Sequence, residues 1–133
     1  MNDCIFCKVA KGIAPSWKVY ENDHAYAFLD INPATRYHTL VIPKQHYTNM
    51  LDITEDALKE VMSVVKKVTD LYQEKLGLEN IQYITNTGAE AQQDVFHFHM
   101  HIVPRSATDG QDVKWDTHQE WRSDFDEMLA ALR

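Results

Sequence analysis

His97-Phe98-His99-Met100-His101-Ile102-Val103-Pro104-Arg105 decides the fold of this chain, because it reads as a β-strand with two unlike faces. Side chains alternate along a strand with a period of two, so Phe98, Met100 and Ile102 share one face and the three histidines the other. The first set is an ordinary core face. The second offers no apolar packing, and three imidazoles against a clean apolar reverse face point to chemistry rather than to structure. The strand is expected to run from about Phe96 to Val103 and to be closed by Pro104. Residues two apart on a strand lie roughly 6.5–7 Å apart, which puts His97 and His101 about 13–14 Å from each other. Metal–nitrogen bonds of about 2.0–2.1 Å cannot bring both to one ion. Adjacent members could share a metal, and the full set is expected to divide its labour.

The surrounding sequence supplies a sheet and a helix for this strand. Two short apolar runs at residues 17–21 and 25–29 flank Glu21-Asn22-Asp23-His24, a turn composition, and predict a β-hairpin. Thr39-Leu40-Val41-Ile42-Pro43 is a compact buried strand bounded by proline, and residues 81–85 form another that ends in Asn86-Thr87-Gly88. Between them the spacing predicts one long helix over residues 54–76. Thr54 is its cap, Glu55 and Asp56 suit its positive end, and Gly77 stops it. Leu58, Val61, Met62, Val65, Val68, Leu71 and Tyr72 make its apolar stripe. The first dozen residues read as a short helix or turn ending at Gly12. Trp121, Phe125, Met128, Leu129 and Leu132 give the tail a second helical stripe, and Trp115 and Trp121 are expected to pack that tail onto the domain or onto a second copy. The expected fold is α+β, a largely antiparallel sheet with one long helix and short terminal helices.

The 133 residues suffice for one domain with one core. Composition is that of an ordinary globular protein, 44% apolar and 25% charged. There is no apolar run of membrane-spanning length, and the N-terminus lacks the apolar stretch of a signal peptide, so a cytoplasmic protein is expected. A net charge of −7 argues against general affinity for nucleic acid or anionic membrane. Small anions are a separate matter, since backbone N–H groups and imidazoles bind phosphate locally. Neutral imidazole is a good nucleophile near pH 7, provided its second nitrogen is held as a donor. Amides around Asn86-Thr87-Gly88 and Gln93-Asp94-Val95 could donate to phosphate oxygens.

The run from His97 to Arg105 resembles the signature of the histidine-triad (HIT) family, three histidines each followed by an apolar residue. Residues 3–11, 28–32, 39–46 and 86–105 also resemble segments of small bacterial members in order and spacing. The resemblance therefore treats residues 1–133 as a single HIT domain, with the tail from about 106 to 133 matching more loosely. It implies five strands per sheet and a homodimer whose sheets join. It implies a purine nucleotide as ligand and cleavage at its α-phosphate, typically of a 5′-phosphoramidate or related conjugate. His99 would be the nucleophile that becomes nucleotidyl-histidine, and His101 would contact the phosphate and bridging oxygen. Asn86, Gln93 and the backbone through Val95 would hold the α-phosphate. Asp30 would take the ribose hydroxyls, with Ile5, Phe6, Val9, Phe28 and Ile31 lining the base pocket. His38 would stand near the active site. Plain core packing is the alternative for those apolar positions.

Two positions depart from the family pattern. Gln92 stands where glycine is usual, which puts any special backbone angle there in question. Asp94 replaces a hydroxyl residue beside the triad. Its carboxylate would repel phosphate oxygens and attract a cationic amine, and a protonated form could donate, so Asp94 joins His99 and His101 as a catalytic candidate with an altered leaving-group preference. Cys4 and Cys7 have the spacing of a metal pair. In related proteins such a pair binds zinc with two histidines, at positions corresponding to His46 and His97. That would be a closed, structural zinc site; packed reduced thiols are the alternative. His24 and His118 read as solvated surface residues. Competing functions are a metalloenzyme using adjacent triad histidines, a dinucleoside polyphosphate hydrolase, and a non-enzymatic nucleotide-binding regulatory module.

Overall fold

The computed structural model describes residues 3–133. Its elements run α1 (Ile5–Ala10), β1 (Lys18–Glu21), β2 (Ala25–Leu29), β3 (Thr39–Pro43), α2 (Glu55–Leu76), β4 (Ile81–Ile84), β5 (Met100–Pro104) and α3 (Phe125–Ala130). Short 3₁₀ turns occupy Ala89–Ala91 and Gln119–Asp124. The five strands form one sheet in the order β1-β2-β3-β5-β4, with every neighbouring pair antiparallel.

α2 forms as its caps dictate. The Thr54 hydroxyl accepts the Ala57 N–H at 3.1 Å, and Gly77 closes the helix with φ +68°. Val61, Val64, Val65, Val68 and Tyr72 are its buried residues. Met62, expected in the stripe, is instead 41% exposed. At about 100° per residue it lies about 100° round the helix from Val61, whereas Val64 lies only about 60° away on the other side.

The register explains why β2 and β3 are apolar almost throughout. Ala27 pairs with Val41 and Val41 with Met100. These residues, with Ala25 and Ile102, pack beneath α2. The alternate residues Tyr26, Phe28, Leu40 and Ile42 face the other way and pack against Phe6 and Val9 of α1. Both faces of the central sheet are therefore covered. The fully buried valines of α2 each contribute about 1.5–3 kcal/mol by leaving water. His101 follows the same alternation to the α1 side.

Two expectations need correction. Strand β5 begins at Met100, so His97 and His99 lie in irregular backbone just before it. Extending the β3–β5 register would set Phe98 opposite Pro43, whose nitrogen carries no hydrogen for the ladder. Phe98 donates its N–H to the Tyr47 carbonyl instead, at 2.7 Å, and the Thr85 hydroxyl donates to the His99 carbonyl at 2.9 Å. The strand-spacing estimate for the triad therefore does not apply to its first two members. The tail also differs. Trp115, Trp121, Phe125, Met128, Leu129 and Leu132 are between 45% and 86% exposed, so of the two placements expected for the tail, packing onto its own domain is not the one found. Among the described residues, no helix is long and apolar enough to cross a membrane.

Candidate active site

The first two triad histidines are held by backbone carbonyls. The ring of His99 lies 2.8 Å from the His97 carbonyl through Nδ1. A carbonyl only accepts, so Nδ1 carries the hydrogen and, in the neutral ring, Nε2 keeps its lone pair. His99 is 5% exposed and its Nε2 lies 3.7 Å from Asp94 Oδ1. His97 is fully buried and donates from Nε2 to the Pro43 carbonyl at 2.8 Å, leaving its Nδ1 lone pair free. Burial drives the His97 pKa down to about 4, against a smaller opposing effect of the Pro43 hydrogen bond, so the neutral ring is the form present near pH 7.

The third histidine is set by a partner from another strand. The Ala34 N–H donates to His38 Nδ1 at 2.9 Å, so neutral His38 carries its hydrogen on Nε2. That nitrogen lies 2.9 Å from His101 Nδ1 and 3.5 Å from Asp30 Oδ2. His38 therefore donates to His101, and neutral His101 carries its own hydrogen on Nε2. Burial drives the pKa of His101 down to about 4, with His99 and His38 adding to the effect. Burial also lowers His38, against the pull of Asp30. The pair is neutral at pH 7, and His101 presents a neutral N–H donor beside His99, the two rings 4.9 Å apart. Tyr37, just before His38, adopts φ +65°. A bulky residue rarely does so, and no feature of the sequence announces the turn that aims His38 inward.

A second cluster lies on the far side of His97. Its Nδ1 is 3.3 Å from Cys4 Sγ, 3.5 Å from Cys7 Sγ and 3.2 Å from His46 Nδ1, while Cys7 Sγ is 3.4 Å from that same His46 nitrogen. A zinc tetrahedron with bonds of about 2.3 Å to sulfur and 2.0–2.1 Å to nitrogen has S···N edges of about 3.5 Å and N···N edges of about 3.3 Å. The four separations above fit those edges, and all four donors lie within 4.8 Å of one another. Burial raises the Cys7 thiol pKa, and Cys4 beside it adds to this, so a thiolate pair here calls for a cation. α1 supplies the Cys7 end of the cluster, and Cys4 is its N-cap, accepting the Cys7 N–H at 3.3 Å.

Beside His99 opens a cavity of about 330 Å³. Ile5, Phe6, Val9, Phe28 and Ile31, the residues that the resemblance assigns to a base pocket, line it, and Asp30, Asp94, Val95, His99 and His101 join them. Leu40 completes an apolar wall. Its place was implicit in the alternation of β3, which sets it on the same face as His38. Three candidates stand elsewhere. His38 lies behind His101. Asn86 lines a separate depression with Trp115. Gln93 is 5% exposed and acts as a staple, donating from Nε2 to the carbonyls of Thr48 and Val95 while its Oε1 accepts from Gly88 N–H and Asn49 Nδ2. Those bonds fix the segment leading to Asp94 and Val95. Gln92 retains a left-handed backbone, φ +72° and ψ +24°, with its N–H on the Ala89 carbonyl. The angle survives without glycine.

Known proteins share this fold and much of this sequence. The family model of the HIT domain matches residues 11–108. Protein hit of Bacillus subtilis is 42% identical over 119 residues, covering 89% of this chain and 82% of its own. An adenosine 5′-monophosphoramidase of Saccharomyces cerevisiae is 36% identical over 126 residues, covering 94% and 75%. A crystal structure from Streptococcus mutans UA159 superposes with TM-score 0.92 at 38% identity, covering 99% of this chain and 84% of that one. A zinc-bound histidine triad family protein of Mycobacterium smegmatis superposes with TM-score 0.78 at 32% identity, covering 98% of both. A fold, a triad and a sequence shared over this length place the chain in one family: it belongs to the HIT domain family.

Proposed function

We propose that the chain hydrolyses purine nucleoside 5′-phosphoramidates, or related nucleotidyl conjugates, through a nucleotidyl-histidine at His99. The observation that carries the reading is the tautomer of that ring. Its Nδ1–H is tied to the His97 carbonyl and its Nε2 is left open beside the cavity, with the neutral N–H of His101 alongside. The yeast relative named as an adenosine 5′-monophosphoramidase supports the same chemistry.

In the first step the Nε2 lone pair attacks the α-phosphorus, the phosphorus–nitrogen bond breaks, and its electron pair leaves with the amine, which takes a proton from solvent. In the second, water attacks the phosphorus, the histidine–phosphorus bond returns its pair to Nε2, and a proton is released. The Nδ1–H···O=C bond supports the positive charge that the ring carries between the two steps. His101 donates to a phosphate oxygen, with His38 holding its tautomer. Asp30 takes the ribose hydroxyls, while the base enters the wall formed by Ile5, Phe6, Phe28 and Ile31. Gln93 acts by fixing the backbone that approaches the phosphate.

Cys4, Cys7, His46 and His97 would hold a structural zinc ion, a closed site that ties α1 to the triad segment and contributes no chemical step; the zinc-bound relative supports this. The chain would act as a homodimer that covers the apolar tail.

The test is steady hydrolysis of adenosine 5′-phosphoramidate by folded, zinc-replete protein, alongside His99→Ala. Turnover reduced by at least about a thousandfold in the variant is expected, in line with the loss of a covalent nucleophile. Absence of wild-type turnover with retained mononucleotide binding would replace the enzyme by a binding module.

A further inference from the structure

The charged groups around the cavity are unusual for a site that is to hold phosphate. Among the described residues, its lining contains two carboxylates, Asp30 and Asp94, and no lysine or arginine. The two carboxylates are differently committed. Asp30 accepts the Asn32 N–H through Oδ1 at 2.8 Å and faces His38 through Oδ2. Asp94 has an 81% exposed side chain at the mouth and stands 3.7 Å from the one imidazole nitrogen left open for attack. Its backbone is not free to swing away, because Gln93, just before it, accepts the Gly88 N–H and donates to the carbonyl of Val95 just after it.

We infer that Asp94 is a specificity-determining residue that selects leaving groups by charge, favouring phosphoramidates whose departing amine carries a positive group and disfavouring anionic ones. The inference rests on the phosphoramidase reading and sharpens its substrate class. In an in-line displacement the leaving group is apical, opposite the nucleophile, and a chain departing toward solvent passes within range of the exposed Asp94 carboxylate at the mouth. The carboxylate acts there as a fixed charge. A group carrying one positive charge about 6 Å away gains, in a largely aqueous setting, a factor of about three to ten over a neutral one, and an anionic group loses a similar factor. A polyphosphate leaving group, with several negative charges, is disfavoured more strongly still. The effect belongs to an exposed charge, so salt must weaken it.

The experiment uses three adenosine 5′-phosphoramidates that differ only in the far end of the amine: 1-aminobutane, 1,4-diaminobutane and 4-aminobutyrate. For wild type, kcat/KM is expected to fall in the order ammonium, methyl, carboxylate, by about threefold to tenfold at each step at low salt. Raising the salt to about 0.5 M should compress both ratios toward one. Asp94→Asn should flatten the series at low salt, whereas Asp30→Asn should preserve it, whatever either does to absolute rates. Turnover with an equally steep or equally flat series in wild type and Asp94→Asn would overturn the inference while leaving the phosphoramidase reading intact. A series that flattens in Asp30→Asn but not in Asp94→Asn would also overturn it. Failure of folded wild type to cleave any of the three would overturn the reading itself, and the inference with it.

Discussion

Filling the Cys4–Cys7–His46–His97 cluster with zinc should raise the melting temperature by about 10–15 °C without being required for chemistry. Two of the four candidate ligands, Cys7 and His97, are buried, and four of the donor separations, at 3.2–3.5 Å, already have the length of tetrahedral edges, so little rearrangement is expected on binding. Free zinc at a hundred to a thousand times the dissociation constant stabilises a folded protein by about 2.7–4.1 kcal/mol. A chain of 133 residues has an unfolding entropy of about 280 cal/mol/K near its transition, which converts that range to the stated shift. The assay is calorimetry of reduced protein with and without a strong chelator, paired with metal content and with turnover below the transition. Cys7→Ser should lose most of the chelator-sensitive increment. A protein that takes up no zinc, or melts at the same temperature with and without it, would refute the reasoning. Turnover lost on chelation while the fold persists would make the metal catalytic, contrary to the four protein ligands counted here.

The His38–His101 pair and its neighbours yield two further expectations. His38→Ala removes the donor to His101 Nδ1, worth about 1–2 kcal/mol as a buried hydrogen bond, so kcat should fall by about fivefold to thirtyfold with a smaller change in KM; equal loss in an unrelated buried His→Ala variant of matched stability would argue against a tautomer role. Stability should also fall on acidification. The folded-state pKa of His101 is about 4 and that of His38 is also depressed, so between the unfolded value near 6.5 and about pH 4 the unfolded chain binds more protons. The native state thus keeps its full stability above about pH 6.5 and loses it as pH falls toward 4, by about 2 kcal/mol for His101 at pH 5. Denaturant titrations at pH 7.5 and pH 5 check the sign, and an unchanged or higher midpoint at pH 5 would refute it.

Much of the fold was legible because its signals are local. The Thr54 cap, the Gly77 stop, the proline-bounded strand at 39–43 and the hairpin composition at 22–24 each act within a few residues, and each stands where the sequence put it. The donor types of the cysteine–histidine cluster and of the triad were legible too, since cysteine, histidine and carboxylate chemistry belongs to the side chains themselves. What misled was periodicity extended past its cause. Met62 and Val64 differ only in their angle to a sheet that the sequence does not display. The strand at 96–99 failed because its ladder partner, Pro43, lies 55 residues from Phe98 and has no N–H to give.

The sequence by itself thus determined the element types, the two faces of the histidine segment and the set of chemical groups available. Only the tertiary structure decided what each histidine does. His97 turns a lone pair to the thiols because the Pro43 carbonyl takes its hydrogen, His99 keeps Nε2 open because the His97 carbonyl takes the other, and His101 is a donor because His38 fills its Nδ1. An imidazole has two nearly equivalent nitrogens, and the hydrogen goes where an acceptor waits. For His97 and His101 that partner comes from across the sheet, brought there by packing rather than by neighbourhood in the chain.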